Sequence, residues 1–210
     1  MRRARTLIAF IAGLAAIGCE TRYPALRASK VVSTIDVSRF DSVLVAGFAT
    51  TSDDPIDTND EMSGLLRSQL RATSQLRVLD AGAGIVPADG LSDAAYWKKV
   101  GAEYGGPLIV TGTVRFRQVI EPAPVWTGPS GAIAPLKDRA RFTLEPAFVF
   151  IDGGSGEALH FEALREEIVY GFGQNVPALA AFFDLMNRML PGVLRIVGQQ
   201  AFCGKRMLLR

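Results

Sequence analysis

The spacing of apolar residues predicts a strand and then a helix at the start of the folded part of the chain. Ser42–Ala49 (SVLVAGFA) is an almost continuous apolar run, which is typical of a strand buried on both faces. Thr58 and Glu61 have the spacing of a capping box, which predicts that a helix begins at Thr58. Apolar residues then recur every three or four positions, so this helix has one apolar side. They are Met62, Leu65, Leu66 and Leu70.

A second strand and a second helix follow in the same order. The short apolar run LRVL at residues 76–79 predicts a strand. Ser92 precedes the sequence DAAYWKKVGAEYG and is expected to cap a helix. This helix is expected to end at Gly105 and Gly106, ahead of Pro107. The first half of the chain therefore predicts the order β-α-β-α.

The second half of the chain predicts three strands and one long helix. The strands are expected at residues 108–118, 139–152 and 157–170. Pro146 indicates a bulge or an edge position, because proline cannot donate a hydrogen bond to a neighbouring strand. A strongly apolar helix follows Asn175 and continues to Val197, with a kink or a restart at Pro191. The complete predicted order is β-α-β-α-β-β-β-α.

The N-terminal residues have the pattern of a bacterial export signal. Three arginines in MRRAR precede an apolar stretch at residues 7–17, which is shorter than the roughly 20 residues that span a membrane. The sequence AIGC at 16–19 resembles a lipobox, in which the cysteine is lipidated and becomes the mature N-terminus. We therefore expect residues 1–18 to be removed, Cys19 to carry a lipid anchor, and residues 19–38 to form a tether. An ordinary secretory signal with an incidental cysteine is the alternative.

Removal of that segment changes the charge of the protein. The whole sequence holds 23 Lys and Arg residues against 21 Asp and Glu residues. Residues 1–18 contain three of the arginines and no acid, so the mature chain would hold 20 basic against 21 acidic residues. A nearly neutral chain gives no reason to expect nucleic acid as a partner. Glu20 follows the cysteine in place of the aspartate associated with inner-membrane retention, which favours the periplasmic face of the outer membrane.

Two pairs of arginines flank a long proline-rich segment. Arg115 and Arg117 lie near the end of one predicted strand, and Arg139 and Arg141 lie near the start of the next. If the two strands pair, all four guanidinium groups share one face of the sheet, where like charges are destabilising unless an acid offsets them. Glu121 or an anionic partner would supply that negative charge. A solvated strand end with counterions is the alternative.

The segment between these strands is a candidate contact surface. It covers residues 119–137, and Trp126 is its one tryptophan. Exposed Trp and Arg side chains are over-represented among the residues that dominate binding energy at interfaces. We therefore predict that Trp126 and the four arginines contact a partner. Alternatively, Trp126 packs back against the domain and anchors the loop.

The sequence indicates no metal site and no cofactor. The acidic residues within 53–61 lack the oxygen spacing and central glycine of a calcium loop, and they suit a solvated loop that leads into a helix N-terminus. The run GAG at 82–84 begins a dinucleotide-binding pattern, but Pro87 replaces its third glycine. Cys203 has no partner in the chain once Cys19 is lipidated, so we expect a buried thiol, with an intermolecular bridge as the alternative.

The only histidine in the chain is the remaining candidate for catalysis. His160 and Glu162 stand two residues apart on a predicted strand, and they therefore share one face. General acid–base catalysis also requires a nucleophile or a substrate cleft beside the pair, and the sequence has no GxSxG motif to supply one. We expect an ordinary edge-strand histidine and a protein that is not an enzyme.

Several short segments together resemble a known group of bacterial envelope proteins. They are VLVAGF, LLRSQL, RVLD, PLIVTGTV with Gly112, and FID followed by the turn GGSGE. The group includes the N-terminal domain of TolB, the curli secretion lipoprotein CsgG and the activator lipoprotein LpoB. The resemblance covers roughly residues 40–200 and implies an α/β sandwich related to the anticodon-binding fold. We therefore predict a single sandwich domain at 39–205, with a mixed sheet flanked by helices.

The same resemblance implies a function without catalysis. Members of the group bind partners in the cell envelope, and the CsgG-like members also assemble rings and insert hairpins as a secretion pore. Four prolines within residues 119–137 argue against such hairpins here, since a membrane strand needs about 9–11 alternating residues. We expect a lipid-anchored binding or scaffolding module with an envelope protein as its partner, and a homo-oligomer is a further option. A subunit of an oligomeric secretion channel is the alternative.

Overall fold

The structure is a computed structural model. It describes residues 29–30, 34–51, 53–81, 86, 91–122, 138–171, 174–197 and 201–202. The folded domain lies within Lys30–Gln200. Two-residue strands stand near the ends of the described part, β1 at Ser29–Lys30 and β8 at Ala201–Phe202, and a single-turn 3-10 helix covers Val37–Arg39.

Six strands form one mixed sheet, and three helices flank it. The strands are β2 (Ser42–Ala49), β3 (Arg77–Asp80), β4 (Leu108–Pro122), β5 (Asp138–Asp152), β6 (Ala158–Ala163) and β7 (Glu166–Tyr170). The helices are α1 (Thr58–Thr73), α2 (Ala94–Glu103) and α3 (Ala178–Val197). The strand order is β3-β2-β4-β5-β6, and β7 also pairs with β5. Strand β2 is parallel to β3 and β4, whereas β4, β5, β6 and β7 pair antiparallel. The predicted α/β class with a mixed sheet and flanking helices is confirmed.

The two faces of the sheet bury different helices. Val43 and Val45 of β2 belong to the larger apolar cluster, which α1 and α3 cover. Leu44 and Ala46, the alternate residues of the same strand, belong to a smaller cluster with Trp97 of α2. Successive strand residues point to opposite faces, so a strand between two helical layers needs apolar residues at every position. This explains the continuous apolar run from which the sequence predicted β2.

The third long strand predicted in the second half of the chain is two strands. Strand β6 pairs with β5 at residues 147–151, and β7 pairs with it at 140–144. Pro146 lies opposite the break between them, where its carbonyl accepts a 2.9 Å hydrogen bond from the backbone nitrogen of Leu164. Strand β5 is interior, so the predicted bulge or edge position for Pro146 is wrong. Proline has no backbone N–H to donate to a neighbouring strand. It fits at this position because the pairing of β5 with β6 and β7 is interrupted here.

The helix caps lie one residue away from the predicted positions. Asp57, not Thr58, caps α1, and its carboxylate accepts a 3.1 Å hydrogen bond from the backbone nitrogen of Asp60. Asp93, not Ser92, caps α2 and accepts from the backbone nitrogens of the first helical turn. An aspartate caps as well as a serine or threonine does, so the residue types alone could not decide between neighbouring candidates.

The folded domain begins earlier than residue 39. Ile35 and Val37 are buried in the larger apolar cluster, and the backbone nitrogen of Ile35 donates to the carbonyl of Ile196 in α3. The predicted tether at 19–38 therefore ends too late, because its last residues hold apolar side chains that α3 covers. For residues 19–28 and 31–33, which the structure does not describe, the tether remains a prediction.

Candidate functional site

The sheet extends beyond its parallel part as an antiparallel arm. Pairing between β2 and β4 ends at Ala49 and Thr113, whereas pairing between β4 and β5 continues to Pro122 and Asp138. Strand β7 lines the far side of β5 along this extension. We call the paired residues 114–122 and 138–145, together with β7, the sheet arm. The arm leads into residues 123–137, which lie outside the described part of the chain.

The sheet arm brings the four predicted arginines onto one face. Arg115 lies opposite Glu145 in the β4–β5 register, Val119 lies opposite Arg141, and Glu121 lies opposite Arg139. Residues directly opposite in a sheet share a face, and so do residues two positions apart in one strand. Arg117 therefore shares this face with Arg115. It is the face that α2 covers farther down the sheet.

Glutamates hold two of the four arginines at the tip of the arm. Glu121 accepts hydrogen bonds from Nε and Nη2 of Arg141 at 2.8 and 3.1 Å, and Arg139 Nε lies 3.6 Å from the same carboxylate. Arg141 also pairs with Glu167 of β7. These hydrogen bonds from Arg141 lower the pKa of Glu121, and the bond to Glu121 raises the pKa of Arg141. The acid that the sequence proposed as a counter-charge thus lies among the arginines.

The arginines nearer the base of the arm differ from each other. Arg117 Nη2 lies 3.1 Å from Glu145 Oε2, and Arg165 Nη1 lies 3.0 Å from the other oxygen of that carboxylate. Among residues that the structure describes, no acidic side chain forms an ion pair with Arg115. The four arginines are therefore not equivalent, because three of them already have a carboxylate partner.

Beyond its contact with β2, strand β4 has an open edge. The backbone nitrogen of Phe116 points away from β5 and donates a 3.2 Å hydrogen bond to Asp54 Oδ1. Backbone groups in an antiparallel ladder alternate in direction, so those of Gln118 and Ile120 point to the same edge. No strand that the structure describes pairs with this edge beyond Thr113. Val119 and Ile120 are 48% and 54% exposed, one on each face of the arm.

Comparisons with known proteins found similar solved structures but no matching family. No protein-family model and no curated protein matches the sequence. Solved structures to which this chain is similar include the PelC dodecamer from Paraburkholderia phytofirmans, at 15% identity and a TM-score of 0.41, covering 83% of this chain and 96% of that one. Lipoprotein GNA1162 from Neisseria meningitidis is 13% identical with a TM-score of 0.39, covering 72% and 98% of the two chains. Rare lipoprotein B from Shewanella oneidensis is 15% identical with a TM-score of 0.26, covering 74% and 86%.

His160 lies on the outer strand β6 as expected, next to its predicted partner. Its Nε2 atom is 3.4 Å from Glu162 Oε2, and its ring centroid is 5.9 Å from that of Phe150. The imidazole is partly buried against the edge of the core, and among the described residues it makes no hydrogen bond to a serine, threonine or cysteine. This geometry suits a packed edge-strand residue.

The acidic loop before α1 uses its carboxylates within the protein. Asp54 accepts hydrogen bonds from the hydroxyl of Thr51 at 2.7 Å, from the hydroxyl of Thr58, and from the backbone of Phe116. Asp57 caps α1. Within the described ranges there is no group of three His, Cys, Asp or Glu side chains placed to hold a metal ion. Asp54 thus connects this loop to the open edge of β4.

Three predicted features lie outside the described residues. They are the lipidation site Cys19, the candidate contact residue Trp126 and the thiol of Cys203. Their roles stay predictions. Where helices are described, none is both long enough and apolar enough to cross a membrane.

Proposed function

We propose that this protein is a lipid-anchored binding or scaffolding module of the bacterial envelope and that it catalyses no reaction. Its anchor would be Cys19, which places the domain at the periplasmic face of the outer membrane. The basic, apolar and small-residue pattern of residues 1–19 supports the anchor. The few residues between Cys19 and the domain would keep the domain close to the membrane.

The observation that carries the binding role is the open edge of β4 on the sheet arm. An extended segment of another protein can add to such an edge, because unpaired backbone groups supply hydrogen bonds and neighbouring side chains supply specificity. Val119 and Ile120 would contact an added strand from both faces, and their exposure leaves apolar area available. The partner would be an envelope protein that contacts residues 119–137, including Trp126.

The paired arginines have a supporting role in this proposal. Arg141 is hydrogen-bonded to Glu121 and Glu167, and Arg139 forms an ion pair with Glu121, so a partner would have to compete with these carboxylates. Contact with a partner would therefore concentrate on the edge, the loop and Arg115.

Replacement of the anchor residue tests the location. We expect Cys19→Ala to release the protein from the membrane fraction, with Cys203→Ala as the matched control that stays bound. Metabolic labelling with a radioactive fatty acid should mark the wild type and Cys203→Ala but not Cys19→Ala. Membrane-bound Cys19→Ala at normal levels would refute the lipid anchor.

Site-specific photo-crosslinking tests the contact surface. A photo-reactive amino acid in place of Val119 should give a discrete crosslinked product in intact cells. The same amino acid in place of Leu179, an exposed residue of α3, is the control and should not give that product. Trp126→Ala and deletion of residues 122–135 should each weaken it. An unchanged product in both variants would remove the loop from the contact surface.

The native mass separates this proposal from the secretion-channel alternative. Full-length protein extracted in mild detergent should contain the same number of copies per particle as the Cys19→Ala form. Both should be monomers or small oligomers. A large ring found only in the lipidated form would contradict the tethered module and support a channel subunit.

A further inference from the structure

A cleft opens where β2 ends and β4 continues. Its volume is about 370 Å³, within the size range of small-molecule sites. It is lined by Ala49, Thr50, Thr51, Thr113, Val114, Arg115 and Glu145. A bulge at Gly47, which has φ +102°, shifts the pairing of β2 with β4 just before the strand ends. The cleft is therefore built from the end of β2, the middle of β4 and the two threonines that follow β2.

The position of this cleft in the fold is the one at which open α/β sheets bind ligands. From β2 the chain passes through α1 to β3 on one side, and from β3 it passes through α2 to β4 on the other side. The two connecting helices pack on opposite faces of the sheet. The carboxyl end of β2, beside residues 113–115 of β4, is thus the point at which the strand order reverses, and β4 continues past it to Pro122.

The charges around the cleft favour an anion. Arg115 has no carboxylate partner among the described residues, and Glu145 is already shared between Arg117 and Arg165. Arg115 is therefore the guanidinium group in the cleft wall that is not already paired with a carboxylate among the described residues. An arginine presents its donors in a planar fork that matches the two oxygens of a carboxylate.

The hydroxyl groups of the cleft can complete the coordination of such an anion. The hydroxyl of Thr51 donates to Asp54, so its proton is in use. Thr50 and Thr113 make no side-chain hydrogen bond within the part of the chain that the structure describes, and both line the cleft. Thr113 shares the face of Arg115, two positions along β4.

We propose that this switch-point cleft binds the carboxylate group of a small organic acid, with Arg115 as its principal ligand and the hydroxyls of Thr50 and Thr113 as further donors. Glu145 selects a singly charged carboxylate over a phosphate dianion, because a second negative charge would be repelled by the glutamate in the cleft wall. This site goes beyond the proposed envelope function: it shares Arg115 with the proposed contact surface, but neither the lipid anchor nor residues 123–137 take part in it.

Titration followed by NMR tests the site with a matched pair of probes. N-acetylglycine carries one carboxylate, and N-acetylglycinamide is its neutral analogue of nearly the same size. At constant ionic strength, N-acetylglycine should shift the backbone amide signals of residues 49–51 and 113–115 of the full chain carrying Cys19→Ala. These shifts should saturate in the millimolar range, and the neutral analogue should leave them unchanged.

Two variants and a charge-matched control assign the ligands. Arg115→Gln should weaken binding at least tenfold, whereas Arg165→Gln, which removes the same charge from the other side of Glu145, should weaken it less than twofold. Thr113→Val should weaken binding several-fold, because valine has nearly the same shape as threonine but no hydroxyl group. This variant still tests the site if Arg115→Gln does not fold. Equal binding by wild type and Arg115→Gln, an equal response to the neutral probe, or no saturation would overturn the proposal.

Inorganic phosphate distinguishes the two anion classes. Weaker binding of phosphate than of N-acetylglycine supports the carboxylate assignment, and tighter binding of phosphate refutes it. The crosslink from position 119 measures the proposed partner independently, so failure of the cleft and failure of the envelope function give different results.

Discussion

Tyr170 Oη donates a 2.6 Å hydrogen bond to Asp184 Oδ2, which joins the last residue of β7 to helix α3. The phenol ring also packs edge-on against Phe142 of β5, with the ring centroids 5.8 Å apart. Burial of the hydroxyl and then the hydrogen bond to Asp184 raise the pKa of Tyr170 to about 12. Strand β7 has only five residues, so this contact holds the outer side of the sheet arm in place.

The first prediction concerns alkaline pH. The folded pKa of Tyr170 lies above the ordinary value of 10, so its neutral form stabilises the fold fully below pH 10, and that stability is lost as the pH rises towards 12. Tyr170→Phe should cost about 1 kcal/mol of unfolding free energy at pH 8. Urea unfolding of both proteins between pH 8 and 12 should show the difference shrinking. A difference that stays constant across this range would contradict the assignment.

The second prediction distinguishes the observed cap of α1 from the cap expected from sequence. Asp57→Ala should destabilise the protein by about 1 kcal/mol, because it removes the acceptor for the backbone nitrogen of Asp60. Glu61→Ala should cost only a few tenths of a kcal/mol, through the helix dipole alone. Chemical denaturation of the two variants is the measurement. A larger cost for Glu61→Ala would restore the capping box that begins at Thr58.

The difference at this cap shows what local sequence patterns can resolve. Apolar spacing located α1 correctly, because burial of Met62, Leu66 and Leu70 against the sheet decides where the helix lies. It could not choose between Asp57 and Thr58. The hydroxyl of Thr58 donates instead to Asp54, which also accepts from the backbone of Phe116 in β4, 62 positions along the chain.

The candidate site was predictable only in part, for a similar reason. Strand pairing placed Arg115, Arg117, Arg139 and Arg141 on one face, and Glu121 among them, as the sequence suggested. The lack of a carboxylate partner for Arg115 among the described residues could not be predicted. It depends on Glu145, which pairs with Arg117 and with Arg165 from another part of the sheet. The cleft also depends on where β2 stops relative to β4, which is a property of the register.

The third prediction concerns Glu121. Glu121→Gln removes the carboxylate that accepts from Arg141 and faces Arg139, which leaves two guanidinium groups close together. We expect a lower melting temperature at low ionic strength and partial recovery in high salt, which screens like charges. Since the pKa of Glu121 is lowered, its contribution is present above its ordinary value of 4.5 and disappears as the pH falls below it.

Glu162→Gln is the matched control for that experiment. It also removes one carboxylate from an outer part of the sheet, but its neighbour is His160 and not a pair of arginines. Thermal unfolding at low and high salt should therefore show a salt-dependent loss for Glu121→Gln alone. The same salt dependence in both variants would mean that Glu121 acts only through the net charge of the domain.

The fourth prediction compares two glycines that differ in their surroundings. At Gly112, where φ is +154°, an added Cβ would lie 1.8 Å from the carbonyl oxygen of Ala147 in β5. Backbone of an interior strand cannot move aside without breaking the ladder, so Gly112→Ala should cost at least about 3 kcal/mol or prevent folding. This close approach explains why the VTGTV segment holds a glycine in the middle of a strand.

Gly64→Ala is the opposite case, because Gly64 lies on the exposed side of α1 and an added Cβ meets nothing within 4 Å. Alanine loses less backbone entropy than glycine in a helix, so this variant should gain about 0.5–1 kcal/mol. Denaturant unfolding of both variants, with yield of soluble protein as a second readout, checks the pair. A tolerated Gly112→Ala would mean that β4 and β5 are not paired in this register, and the shared arginine face would then fail with it, since both follow from the same alignment of the two strands.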